Sequence, residues 1–172
     1  MVLIIIGIMA ATVMPKIRLD NTAVDTAVRS VNMSLMVAQR EAVSRQHNVL
    51  LVIDTAHHTA RTIWDANNNG LEDTGERTRP APIPENVVIG RPSGVPAMGG
   101  AVEVAAEVVE SGDPTIVMLR SGAANRARVI YFTSRRAIAG GDDKETRALS
   151  ISRATGRPSW YRWSTSGWRR GS

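Results

Sequence analysis

The sequence predicts an α+β fold in which one long N-terminal helix packs against an antiparallel β-sheet domain. Residues 1–14 (MVLIIIGIMAATVM) contain no charged residue, and residues 21–45 repeat apolar side chains at intervals of three and four. Those intervals place the apolar side chains on one face of a helix. After residue 46 the chain changes to short apolar runs that turn residues separate, a pattern typical of strands.

The amphipathic part of the predicted helix offers one apolar face to a sheet. Its stripe consists of Val24, Val28, Val31, Leu35, Ala38 and Ala42. The charged residues fall largely off this stripe, at Asp20, Asp25, Arg29, Arg40 and Arg45. A helix continuous from residue 1 would be about 70 Å long, which exceeds what a compact domain of this size needs. We therefore divide the chain into a helix, residues 1–46, and a β-rich domain, residues 47–172. Within the helix, residues 1–15 are apolar all round and residues 16–46 are amphipathic.

The apolar opening allows three interpretations. A secretory signal peptide carries basic residues before its apolar core, and none precede this one. A membrane-spanning helix needs about 20 apolar residues, and this run is shorter. A helix buried in a globular core would show its apolar side chains on one side, whereas the isoleucines between residues 4 and 8 surround the helix.

The same segment resembles the N-terminal helix of type IV pilins and type II secretion pseudopilins. Gly7-Ile8-Met9-Ala10-Ala11 and then Pro15 match that helix in order and spacing, while the family's leader, processed Phe and nearby Glu are absent. We expect several mature residues to precede Met1, which would extend the apolar run to the length of a membrane span. The alternative is a chain that begins at Met1 and is poorly anchored. The resemblance implies that a set of apolar residues lies in the inner membrane and later in a filament core, and that Pro15 locally loosens the helix. The set is Leu3, Ile4, Ile5, Ile6, Ile8 and Pro15.

The amphipathic part narrows the resemblance to one group. Residues 35–45 (LMVAQREAVSR), followed by Asn48-Val49, resemble the corresponding segment of GspH/FimT-like minor pilins. The resemblance implies a structural subunit that binds other pilin or pseudopilin subunits through its N-terminal helix. It also implies a single-pass protein of the bacterial inner membrane, whose globular domain lies outside the cytoplasm, and later a periplasmic or extracellular filament.

The β-rich domain is predicted to open with a hairpin and to continue as short strands. The hairpin joins residues 48–55 to residues 59–65 around His57-His58. Residues 79–100 are predicted to be mostly loop because they contain five of the eight prolines, and residues 134–144 to be a polar turn. The other predicted strands are residues 86–89, 101–109 (where a helix is the alternative), 115–119, 127–132 and 147–152, with an edge strand in residues 154–163 after a turn at Gly156.

Residues 65–76 (DANNNGLEDTGE) have the spacing of a calcium-binding loop, in which short oxygen-bearing side chains alternate, a glycine allows the sharp turn and a final Glu closes the shell. The candidate ligands are Asp65, Asn67, Asn69, Asp73 and Glu76, with the backbone carbonyl of Leu71. The flanking segments are predicted to be a strand and a turn rather than the two helices of an EF-hand. The alternative is a turn whose Asn and Asp side chains cap their own backbone. Ca²⁺ is the cofactor that the sequence suggests.

Positive charge is concentrated at the C-terminal end. Residues 1–119 carry nine basic and thirteen acidic residues, whereas residues 120–172 carry twelve basic and three acidic ones. Arginines bind phosphate groups and exposed aromatic rings stack on unpaired bases, so the segment is a candidate for DNA binding, a role associated with FimT-like minor pilins. The alternative is that the rings close the sheet and the arginines are solvated. The candidate residues are Arg153, Arg157, Arg162, Trp160 and Trp163.

The sequence offers no catalytic constellation. It contains no cysteine and three histidines, and it lacks the motifs of hydrolases, zinc proteases and nucleotide-binding loops. We therefore expect a non-enzymatic filament subunit. The alternatives are a DNA-binding minor pilin and an unrelated exported domain stabilised by calcium.

Overall fold

The computed structural model describes residues 2–98 and 106–171, with side chains from residue 20 onward. The chain forms two helices and ten strands within these ranges. They are α1 (Val2–Arg45), β1 (Asn48–Asp54), β2 (Thr59–Asp65), β3 (Thr78–Pro82), β4 (Val87–Ile89), β5 (Glu107–Val109), β6 (Thr115–Met118), β7 (Arg128–Ser134), α2 (Arg135–Gly140), β8 (Arg147–Ile151), β9 (Pro158–Ser164) and β10 (Gly167–Arg170). The predicted α+β class is confirmed.

The strands form two sheets. The first sheet has four strands in the order β3-β2-β1-β6, and all of its pairs are antiparallel. The second sheet has the order β10-β9-β8-β7-β4, also antiparallel, and β5 joins it as a parallel partner of β7. The predicted first hairpin is confirmed as β1 and β2, in register from Asn48↔Asp65 to Asp54↔Thr59.

Helix α1 lies across both sheets and buries the predicted stripe. All six stripe residues are fully buried, and they belong to one apolar core with residues of both sheets. That core includes Leu51 and Ile53 from the first sheet, and Ile130 and Leu149 from the second. The apolar stripe of α1, whose residues are spaced by three and four, therefore packs against both sheets and holds them together.

Polar contacts add a second connection between α1 and the second sheet. The Nε atom of Arg147 lies 2.6 Å from an Asp25 carboxylate oxygen, and Nε of Arg136 lies 3.2 Å from Asp20. Arg136 also binds the buried carboxylate of Glu145 at 2.7 Å. Asn86 donates a hydrogen bond of 2.7 Å to Asp20. Two of the charged residues outside the apolar stripe thus fix the helix on the sheet.

Three elements differ from the sequence-based expectation. Strand β3 falls in the segment expected to be loop. Its prolines are tolerated because β3 is an edge strand, where an absent N–H need not cost a ladder bond. Helix α2 falls in the expected polar turn, where Ser134 caps its first turn and Gly141 ends it with φ 68°. Strand β9 was expected at the edge, but β10 pairs with it and is the edge strand.

Helix α1 is continuous through Pro15, so the expected loosening there is not seen as a break in the helix. No helix within residues 2–98 and 106–171 is both long and apolar enough to cross a membrane. The predicted membrane and filament-core residues, from Leu3 to Pro15, have side chains outside the described part of the structure. Residues 101–105 of one predicted strand also lie outside it, while residues 107–109 form β5, as predicted.

Candidate functional site

The outer face of α1 exposes large apolar side chains to solvent. Met33 is 65% exposed, Met36 53% and Val43 45%. Met33 and Val37 line a groove of about 580 Å³, whose other wall includes Trp64 and Pro80. Clustered exposed apolar surface of this kind marks an interaction site more often than isolated residues do. The sequence-based prediction missed these residues because it followed a single stripe, although their spacing forms a second one.

Charged groups surround the end of α1 that carries this face. Arg45 donates a hydrogen bond to Glu41, which lowers the pKa of the Glu41 carboxyl, and Trp64 donates to the same carboxylate at 3.4 Å. The guanidinium of Arg77 lies 4.6 Å from the centre of the Trp64 ring. These contacts fix the Trp64 ring as one wall of the groove.

The loop at residues 65–76 closes itself with hydrogen bonds. The two carboxylate oxygens of buried Asp65 accept from the backbone N–H groups of Asn69 at 3.0 Å and Gly70 at 2.7 Å. Glu76 accepts from the N–H groups of Ala66 at 3.0 Å and Asp73 at 3.1 Å. Gly70, with φ 78°, supplies the left-handed turn. This is the self-capped turn that the sequence left open as an alternative.

The candidate calcium ligands point largely at this internal network. The side-chain amides of Asn67 and Asn69 both donate to Asp73, at 2.8 and 2.7 Å. The oxygen of Asn69 accepts from the N–H of Leu71 at 2.7 Å. In the described part of the chain, no group of three His, Cys, Asp or Glu side chains is placed to hold a metal ion. In this arrangement the amide oxygens of Asn67 and Asn69 accept hydrogen bonds within the loop, and calcium binding stays a prediction of the sequence spacing.

The candidate aromatic residues of the C-terminal strands are held by protein contacts. Trp160 packs on the main core and lies beneath Arg29, whose guanidinium is 5.2 Å from the ring centre. Trp163 packs edge-on against Trp168, with ring centres 5.4 Å apart, and donates to Asp143 at 3.2 Å. These contacts match the alternative in which the rings close the sheet.

A smaller apolar cluster lies behind these rings, on the sheet face away from α1. The ring centre of Tyr131 lies 5.7 Å from that of Trp168, and its hydroxyl accepts from the N–H of Met98 at 2.8 Å. Burial raises the pKa of the Tyr131 hydroxyl. The aromatic end of the chain is therefore part of the core of the second sheet.

The candidate arginines are exposed. Arg153, Arg157 and Arg162 lie on the surface, and among the described residues none of them belongs to a salt bridge. Arg162 pairs in register with Arg169 of β10 and with Arg147 of β8. Among the described residues, Arg147 alone of these three forms a salt bridge, whereas Arg162 and Arg169 of the strand pair β9–β10 form none.

A long N-terminal helix lies across two small sheets and exposes apolar side chains on its outer face. A family model described as type II transport protein GspH matches residues 27–156, which is more than half of the chain. The chain belongs to the GspH family of type II transport proteins. This confirms the resemblance on which the sequence-based interpretation relied.

The comparison with solved structures gives a more distant likeness. The minor pseudopilin EpsH from the type 2 secretion system of Vibrio cholerae is 12% identical and has a TM-score of 0.48. The match covers 87% of this chain and 96% of the other. No curated protein sequence matches the chain.

Proposed function

We propose that this chain is a structural subunit of a type II secretion pseudopilus, and that its work is assembly rather than turnover. The observation that carries the proposal is the GspH family match over residues 27–156. The structure supports it through helix α1, whose inner face is buried and whose outer face exposes Met33, Met36 and Val37. An isolated domain gains nothing from the outer face, whereas a subunit in a filament buries it against a neighbour.

The proposed subunit occupies two environments in succession, first the membrane and then the filament. The apolar first part of α1 holds the chain in the bacterial inner membrane, with the β domain on the periplasmic side. On assembly the same part packs among the helices of other pseudopilin subunits in the filament. Leu3, Ile4, Ile5, Ile6 and Ile8 supply the apolar surface for both environments, because lipid tails and helix bundles both accept side chains apolar all round a helix.

A cross-linking experiment tests this proposal. The chain contains no cysteine, so Met36→Cys introduces a single thiol on the outer helix face. Ser111→Cys, at an exposed position outside α1, is the matched control. In bacteria with an active type II secretion system, oxidation is expected to link Met36→Cys to filament subunits that carry a facing cysteine, and to leave Ser111→Cys unlinked. A Met36→Cys chain that stays monomeric in assembling cells would refute the proposal.

The DNA-binding alternative has narrower support. It comes from the exposed arginines Arg153, Arg157 and Arg162, which form no salt bridge within the described part of the chain, while the family description concerns transport. Alanine at all three positions would then reduce DNA retention in a salt-dependent manner. Retention that the triple variant leaves unchanged would remove the alternative.

Calcium binding at residues 65–76 is a separate proposal, and its support is the ligand spacing. It requires Asn67 and Asn69 to turn their oxygens from the internal network toward the ion. Binding to the folded state alone raises the melting temperature. A melting experiment in calcium against chelator therefore decides it, and equal melting temperatures would remove calcium from the account.

A further inference from the structure

A second groove lies between α1 and the beginning of β9, apart from the groove that Met33 and Val37 line. Its volume is about 660 Å³. Arg157 and Arg170 line it together with apolar residues such as Met36 and Trp160, and none of its lining residues is acidic. The chain carries no Asp or Glu after Glu145, so the strands that build this side of the groove bring positive charge alone.

The groove is a built feature of the fold. The side-chain amide of Gln39 donates to the backbone carbonyls of Gly122, at 2.9 Å, and Thr155. This ties the loop before β9 to the helix. Gly156 has φ 62°, and a Cβ atom there would collide with the carbonyl of Gly122. The close approach that the glycine permits therefore holds both walls of the groove at a fixed separation.

The two arginines of the groove are free to bind an anion. Among the described residues neither Arg157 nor Arg170 forms a salt bridge. Arg170 donates to the hydroxyl of Ser159 at 3.1 Å, which positions its guanidinium beside the groove. Guanidinium groups bind carboxylates through paired N–H donors. The groove thus recognises a ligand that carries more than one negative charge.

The aromatic ring at the groove does not favour a nucleic acid. Trp160 lies beneath Arg29, and Gly171 contacts its ring so closely that a Cβ atom at that position would overlap ring carbons. A base would need a free ring face on which to stack. The groove therefore offers charge and polar contacts without a stacking surface.

We propose that this groove binds an acidic, extended peptide segment of a partner protein. Arg157 and Arg170 bind its carboxylates. Met36 of the outer helix face also lines this groove, but the inference rests on Arg157 and Arg170, and its test measures peptide binding by the unassembled chain. Its failure and the failure of the assembly proposal are therefore distinguishable.

Fluorescence anisotropy with labelled hexaglutamate tests the inference on the full chain in detergent at low salt. We expect binding, and we expect Arg157→Ala and Arg170→Ala each to weaken it about fivefold, near the upper limit for one exposed ion pair. Arg157→Lys keeps the charge and is expected to recover most of that loss. Arg153→Ala removes an exposed arginine outside the groove and is expected to weaken binding less than about twofold.

Three results would overturn the inference. One is the absence of hexaglutamate binding at low salt. Another is an equal loss for Arg153→Ala and the groove variants, since it would mean diffuse attraction to a basic surface. The third is tighter binding of a labelled thymidine hexanucleotide, which would assign the groove to nucleic acid. Melting curves of each variant verify that the exposed substitutions leave the fold intact.

Discussion

Leu35 and Met36 are neighbours on α1, yet Leu35 is fully buried and Met36 is 53% exposed. Leu35 belongs to the inner face, which is filled by the two sheets of the same chain. Met36 belongs to the outer face, where Met33 and Val37 are also exposed. The inner face is satisfied within the subunit and sets its stability. The outer face contributes little to that stability and is available to another subunit.

The largest expected effect concerns the ion pair that joins α1 to the second sheet. Arg147 has a side chain only 2% exposed, and it pairs with Asp25. We expect Arg147→Ala to lower the free energy of unfolding by about 4 kcal/mol, because it leaves a partly buried carboxylate unpaired and opens a cavity.

The matched control is Arg45→Ala. Arg45 pairs with Glu41, but its side chain is 52% exposed, so the expected loss is less than about 0.5 kcal/mol. Urea unfolding followed by circular dichroism measures both variants. Equal losses of unfolding free energy in the two variants would mean that burial does not make one ion pair more stabilising than the other.

The next effect compares the two helix faces directly. Leu35→Ala is expected to cost about 3 kcal/mol of unfolding free energy because it removes a fully buried side chain from the core. Met36→Ala is expected to change stability by less than about 0.5 kcal/mol. Urea unfolding of the two variants under identical conditions checks the difference, and comparable losses would contradict the assignment of the faces.

A smaller effect is expected in the loop at residues 65–76. Asp65 is buried and accepts two backbone hydrogen bonds, so Asp65→Ala should cost about 2 kcal/mol. Glu72→Ala, at an exposed position of the same loop, should cost less than about 0.5 kcal/mol. Melting curves in chelator measure both losses without any contribution from calcium. An unchanged melting temperature for Asp65→Ala would mean that the internal network does not close the loop.

The smallest effect depends on pH. The backbone N–H and ring of His57 donate to Asp54 and lower the pKa of its carboxyl. A group whose pKa is lowered in the folded state stabilises the protein above its unfolded pKa, about 3.9. That stabilisation is lost as pH falls through the folded pKa. When the pH falls from neutral to strongly acidic, the free energy of unfolding should therefore decrease less for Asp54→Asn than for the unmodified chain. Urea unfolding at several pH values measures both decreases, and equal decreases would contradict this expectation.

The inner face could be predicted from the sequence because a stripe of period 3.6 is a local pattern. Strand positions such as β1 and β7 could be predicted for the same reason. The pair of Arg147 and Asp25 could not, since the two residues are 122 positions apart. Helix α2 is a single capped turn, too short for a periodic signal. Strand β10 becomes a strand through its pairing with β9, which no property of its four residues indicates.

The candidate binding surfaces were predicted in part. The sequence indicated the basic character of the C-terminal segment, and Arg153, Arg157 and Arg162 are exposed in the structure. It could not indicate that the rings of Trp160 and Trp163 contact other parts of the protein. Trp160 lies beneath Arg29 of α1, and Trp163 donates to Asp143 in the turn after α2. The groove beside Arg170 also depends on helix residues distant in sequence.

The recovery of Met36→Glu in filaments tests the role of the outer face. A charge there should leave the melting temperature unchanged, because Met36 is 53% exposed. It should prevent close contact with a neighbouring subunit, because a carboxylate would replace an apolar side chain at that contact. We expect a folded subunit that no longer copurifies with the other pseudopilins. A Met36→Glu subunit that enters filaments as the unmodified chain does would contradict this role.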